Sequence, residues 1–155
     1  MSEAIVRIKF LAPCLGQVKS PSTQFLFLRD PSGHIVFMPT WHRANMWRAS
    51  KALSRWHREA TSIRWNPRIW YEPGDLDWYQ RYMDHKRFAL HEAFLPGTEI
   101  CIGCLLPPRL SCDDLAQLWA IAGKYCGLSP FRHGEYGTFE VVDVSLGVLD
   151  PVACS

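Results

Sequence analysis

Strands at both ends of this 155-residue chain, two long amphipathic helical stretches, and strong turn chemistry between apolar runs predict an α+β domain. The elements read as two β-α-β-like halves. They build an antiparallel sheet with the two main helices on one face, the ferredoxin-like plan. The length fits one domain over 1–155 that buries a core without staples, with a variable aromatic-rich insertion at about 62–86.

Residues 4–11 alternate, with Val6, Ile8 and Phe10 on one face and Arg7 and Lys9 on the other, which predicts a strand. A Pro-, Gly- and Ser-rich loop over 13–23 follows. The apolar runs 24–28 and 34–38 flank Asp30-Pro-Ser-Gly33, whose turn chemistry predicts a β-hairpin. Pro39-Thr40 then opens a helix with Thr40 as N-cap, running to about residue 60. Residues 63–71, with Pro67 inside, read as an edge strand and 75–85 as a short helix carrying Trp78, Tyr79 and Tyr82. Strands follow at 87–94 and 98–106, separated by a Pro96-Gly97 turn. Ser111 with Asp114 three residues later marks the start of the second long helix, which buries Leu115, Leu118, Trp119 and Ala122. The β-branched run 138–144 closes the plan as a last strand.

Composition narrows the function. With 48% hydrophobic and 21% charged residues the chain is a folded globular protein, not a disordered one. A net charge of +2 means that any attraction for polyanions must come from local clustering. The opening Met-Ser-Glu-Ala-Ile-Val-Arg-Ile-Lys lacks the long apolar stretch of a signal peptide. No run approaches the roughly 18 apolar residues of a membrane span. A cytoplasmic protein that takes no membrane partner, with mostly reduced thiols among its six cysteines, is therefore expected.

The clustering is found in the first helix. Met46, Ala49, Leu53, Trp56 and Ala60 recur at spacings of three and four and define a buried stripe. Arg48, Lys51, Arg55 and Arg58 fall nearly opposite, with only Glu59 as a neighbouring acid. Trp41, Trp47, His42 and His57 flank the row. Such a row can track a sugar–phosphate backbone while the indoles stack bases. The competing reading is a solvated face whose Lys and Arg stems cover the indoles.

The second candidate is the loop 127–137. Gly127, Gly134 and Gly137 stand beside Phe131, Arg132 and His133, between the second helix and the last strand. Glycines let main chain approach a ligand and leave N–H groups free for an anion, and Arg132 adds charge there. Without a ligand, the same residues make a helix C-cap, a loop and a turn.

Cys101-Ile-Gly-Cys104 has metal-site spacing, but residues three apart in a strand point to opposite faces. Buried cysteine acting as a small hydrophobe is the reading preferred, so no metal or cofactor is expected. His133 is the one histidine placed for acid–base work, and it has no identifiable partner, so no catalytic residue is assigned.

The loop resembles the glycine-rich loop of the RAMP superfamily, the ferredoxin-like RNA-binding proteins of CRISPR effector complexes. That loop has the form G-h-G, five residues, G-h-G, after the last helix. Here Gly127-Leu128-Ser129, five residues, then Glu135-Tyr136-Gly137 match it at Gly127 and Gly137 and depart at Ser129 and Glu135. The chain also resembles phage and prophage proteins of this plan. The likeness lies in the first strand (5–11), in Arg29-Asp-Pro-Ser-Gly33 with Pro39, and in the stretch 127–141. The resemblance implies a nucleic-acid-binding or CRISPR-related fold in a phage setting, and no reaction. The expected function is then non-enzymatic binding of single-stranded nucleic acid, RNA favoured. The row, Gly127, Gly134, Gly137, Arg132, His133, Trp41, Trp47 and Phe131 would form the contacts. The alternative is a protein-binding subunit or inhibitor of a CRISPR-type complex, anchored by Trp65, Trp70, Trp78, Tyr79 and Tyr82.

Overall fold

The computed structural model describes residues 1–83, 87–129 and 136–150. In chain order the elements are β1 (Ser2–Phe10), β2 (Cys14–Leu15), β3 (Val18–Lys19), β4 (Gln24–Leu26), α1 (Pro39–Leu53), α2 (His57–Thr61), β5 (Arg64–Tyr71), β6 (Leu76–Tyr82), β7 (Phe88–Phe94), β8 (Glu99–Leu106), α3 (Cys112–Tyr125) and β9 (Phe139–Leu146). A 3-10 turn, Pro73–Asp75, joins β5 to β6.

Four strands form one sheet in the order β5-β8-β1-β9, and every pairing in it is antiparallel. The alternation in β1 decides what this sheet buries. Ala4, Val6, Ile8 and Phe10 are all at most 1% exposed and sit in one core cluster with Ile100 and Ile102 of β8. The same cluster takes Met46 and Ala49 from α1 and Leu115, Leu118, Trp119 and Ala122 from α3. Each buried Val, Ile, Leu, Met or Phe side chain here contributes about 1.5–3 kcal/mol. Pro67 sits where a strand tolerates it: β5 is an outer strand, and its register against β8 shifts between Trp65 and Ile69.

The second sheet runs β2-β7-β4-β3, with β6 added along β7. β4 and β7 are parallel, and the other pairs are antiparallel. An ion pair fastens it. Arg29 donates from Nη1 and Nη2 to the two carboxylate oxygens of Glu92, at 2.6 and 2.7 Å, and Phe27 N–H adds a third bond at 2.9 Å. Burial works against the charge on Glu92. The Arg29 guanidinium and the Phe27 N–H nevertheless hold its carboxyl below the usual range.

The structure departs from the sequence expectations at five places. The single helix expected over 40–60 is broken: Ser54 (φ +54°) and Trp56 (φ +59°) are left-handed, and α2 starts afresh at His57. Its start is not capped by Thr40. Met38 is the extended N-cap, and Pro39 occupies the first turn, where its missing N–H costs nothing. Residues 75–85 do not form a helix, since β6 pairs with β7 over seven positions, from Leu76 opposite Phe94 to Tyr82 opposite Phe88. The loop 13–23 contains two short strands. Finally, the hairpin at 24–38 is reduced to β4 and an isolated bridge between Arg29 and Ile35, around a turn held by Asp30 Oδ1 accepting from Ser32 and His34 N–H.

The helix start at Ser111 does form. Ser111 Oγ accepts from Asp114 N–H at 3.1 Å, and Asp114 accepts from Ser111 N–H at 3.0 Å. Cys14, Cys104 and Cys112 are free thiols, whereas Cys101 is disulfide-bonded. Burial raises the Cys104 thiol to about 12, as suits an inert core cysteine.

Candidate nucleic-acid interface

The break after α1 carries the cationic row across three short pieces: Arg48 and Lys51 on α1, Arg55 in the link, and Arg58 on α2. All four are exposed. Ser50 holds the two helices together. Its hydroxyl donates to Trp47 O at 2.9 Å and meets His57 Nδ1 at 3.0 Å. Arg55 Nη2 reaches Gln117 Oε1 on α3 at 3.2 Å, and its guanidinium lies 4.1 Å from the Trp56 ring centre. Lys51 Nζ stands 5.4 Å from the Trp47 ring centre. Among the described residues, none of the four cations of the row forms an ion pair, in contrast to Arg29 with Glu92.

The base of the glycine loop is bound to the same helix. Asn45, fully buried on α1, donates from Nδ2 to Gly127 O at 3.0 Å. Gly127 (φ +74°) and Gly137 (φ +78°) lie against each other, and Leu128 N–H donates to Gly137 O at 3.0 Å. A Cβ on Gly127 would come within 3.0 Å of Gly137 carbonyl carbon, and one on Gly137 within 2.6 Å of Ser129 N. Both positions therefore require glycine by conformation and by space. Gly137 N–H donates to Pro13 O at 2.8 Å, which fixes the other side of the neck. Arg48 follows Asn45 by three residues, so the first cation of the row stands one helical turn from this anchor. Phe131, Arg132, His133 and Gly134 lie outside the described residues.

The aromatic candidates separate into three groups. Trp47 is 47% exposed beside the row, with the His57 ring 6.2 Å away. Trp41 is half-buried against Phe37 at 5.8 Å, so it supports the core as much as it faces outward. Trp65 is not a surface anchor. It is 7% exposed and packs 4.9 Å from His42 and 5.2 Å from Trp119, because β5 turns that position toward the helices. His42 likewise does not flank the row: it is fully buried, and burial lowers its pKa to about 3, leaving it neutral. Trp70 is half-buried with the Arg68 guanidinium 4.1 Å from its ring centre. Trp78 and Tyr82 are 45% and 63% exposed on β6. Tyr79 is half-buried, and its hydroxyl lies 3.4 Å from that of Tyr136, next to Gly137.

Two residues at this site were missed in the sequence. Asn45 is the tether between α1 and the loop, and a polar residue on a buried stripe was the available signal. Arg43, exposed on α1, extends the positive surface toward the helix start. A cleft of about 250 Å³ lined by Glu3, Arg64, Asn66, Gly103 and Leu149 includes none of the expected nucleic-acid residues. No helix among the described residues is long and apolar enough to cross a membrane.

No protein-family model and no curated protein matches the sequence. Solved structures do. A chain of a Type IV-B CRISPR complex superposes with a TM-score of 0.59 at 9% identity, over 94% of this chain and 90% of that one. A chain of a Type III-B Cmr-beta structure, solved by cryo-EM with its cognate target RNA bound, superposes with a TM-score of 0.66 at 12% identity. There the match takes 94% of this chain and 60% of the other, so the present chain spans well under the whole of that neighbour. At these identities the likeness is one of fold: this chain shares its α+β architecture with chains of CRISPR effector complexes.

Proposed function

We propose that the chain is a non-enzymatic binder of single-stranded RNA with a ferredoxin-like, RAMP-type arrangement, working in a CRISPR-related or phage setting. The exposed row Arg48, Lys51, Arg55, Arg58 carries this reading, because its first two members lie on α1, the helix that anchors the glycine loop through Asn45, and the other two follow directly in the link and on α2. The long elements β1-α1-β5-β8-α3-β9 follow the β-α-β-β-α-β succession, which supports the ferredoxin-like arrangement. The solved Cmr-beta neighbour was captured with target RNA, which supports RNA over DNA. In this reading the row takes phosphates, Trp47 stacks a base, and Arg132, His133, Gly134 and Phe131 add contacts from the loop.

Fluorescence anisotropy of a labelled single-stranded RNA at low salt tests it: saturable binding is expected, and a flat titration would falsify the reading. The RNA recovered after incubation, with and without divalent metal, is expected intact, and cleavage would overturn the non-enzymatic assignment.

A second reading is favoured by one observation, the exposure of Trp78 and Tyr82 on β6. A subunit or inhibitor of a CRISPR-type complex would present such anchors to protein. Nuclease-resistant copurification with a host effector complex, weakened by Trp78→Ala, is its expected signature.

A further inference from the structure

β6 has one partner among the described residues. Its inner edge pairs with β7 along seven positions, and no strand is paired with its outer edge. The side on which each backbone group lies follows from three hydrogen bonds. Met83 N–H points inward to Arg87 O, Glu92 O points away from β6 to Gly16 N–H, and Trp78 N–H is taken by the Asp77 side chain at 2.8 Å. Odd-numbered residues of β6 therefore bond to β7. Leu76, Trp78, Gln80 and Tyr82 turn their N–H and C=O groups outward. A seven-residue edge without proline is a ready template for another strand.

We propose that this edge pairs with β6 of a second copy of the chain, antiparallel and centred on Tyr79, to give a two-fold dimer. The sequence Leu76-Asp-Trp-Tyr-Gln-Arg-Tyr82 is self-complementary in that register. Pairing all seven residues sets Leu76 opposite Tyr82, Asp77 opposite Arg81 and Trp78 opposite Gln80 of the other copy. Outward-facing residues then meet outward-facing residues, as an antiparallel ladder requires. Asp77 and Arg81 fall at the non-hydrogen-bonded positions, where side chains approach most closely, so two opposite-charge pairs form by symmetry. Shifting by two residues in either direction loses both charge pairs and shortens the ladder. The Trp78 N–H, held by its own neighbour in the monomer, would pass to a Gln80 carbonyl and release Asp77 for Arg81 of the other copy. Arg81 is oriented for this by its Nε, which donates to His91 Nε2 at 3.1 Å. His91 Nδ1 is 2.6 Å from Gly16 O, so the ring is the tautomer with its proton on Nδ1. The exposed faces of Trp78, Tyr82 and Phe88 lie on one side of the strand pair and would become a continuous strip across the axis.

The proposal does not rest on RNA binding, and the test is run without RNA. Sedimentation equilibrium of the full chain between about 1 and 300 μM covers the affinities of a small edge-to-edge interface. The expected result is a shift from the monomer mass to twice that mass. Asp77→Arg sets like charges opposite each other and should weaken the dimer about tenfold or more. Gln80→Pro removes an outward N–H without touching the β7 ladder and should leave a monomer with an unchanged circular dichroism spectrum. Mixing D77R with R81D should restore pairing between the two variants, since each then meets an opposite charge, and this controls for a variant that merely folds poorly. A wild-type chain that stays monomeric throughout would overturn the proposal. So would a dimer, or capture of some other strand, that is indifferent to both D77R and Q80P.

Discussion

Two sets of cations sit on this molecule, and their surroundings are opposite. In the second sheet Arg29 is locked bidentately onto Glu92, whose carboxylate also holds the Phe27 N–H. On the helical layer Arg48, Lys51, Arg55 and Arg58 face solvent with no acidic partner among the described residues. The first set is consumed in holding β4 and the following turn against β7. The second contributes little to the fold, which is what a surface kept for a polyanion requires.

Removing the acid of the locked pair should produce the largest change. Glu92→Ala leaves a guanidinium partly buried without its partner, and a loss of about 2 kcal/mol is expected, less than for a fully enclosed pair because Arg29 is one-third exposed. Urea unfolding measures it. The same pair sets an acid dependence. The carboxyl of Glu92 is held below its ordinary 4.5, so its contribution is complete above that pH and is lost as pH falls through the lower folded value. Glu92→Gln should flatten the decline in stability below about pH 4.5, whereas an unaltered acid limb would remove Glu92 from the account.

Asn45→Ala should cost about 1–1.5 kcal/mol, because a buried bond to Gly127 O is lost. It should also weaken RNA binding by freeing the loop from the row. If stability falls while binding is unchanged, the loop and the helix do not act together. Alanine at Arg48, Lys51 or Arg58 should change stability least, by at most about 0.5 kcal/mol each in the same urea experiment. A larger cost at any of them would place that cation with Arg29, as part of the scaffold.

The helical layer was easier to read from sequence than the second sheet, and the reason is physical. Alternation in β1, the Ser111–Asp114 capping pair and the spaced apolar residues of α3 each report one local preference that packing reinforces. The break at Ser54 and Trp56 had no glycine or proline to announce it. β6 offered Trp78, Tyr79 and Tyr82 at helical spacing, but aromatic side chains suit a pleated surface as well, and pairing with β7 decided the matter. Trp65 and His42 were misplaced because their exposure depends on what crosses above them, which no local pattern encodes. At the candidate site the cations and the two neck glycines were legible, whereas the Asn45 tether depends on a contact between residues 82 positions apart.

The central claim is that the exposed row binds the RNA backbone. The salt dependence of RNA affinity, compared between the wild-type chain and R48A/K51A/R55A/R58A, tests it most directly. Four phosphate contacts should give a slope of log affinity against log salt of about −3 for the wild type, with most of that slope lost in the variant while its circular dichroism spectrum remains that of the folded chain. Equal slopes for the two proteins would contradict the claim.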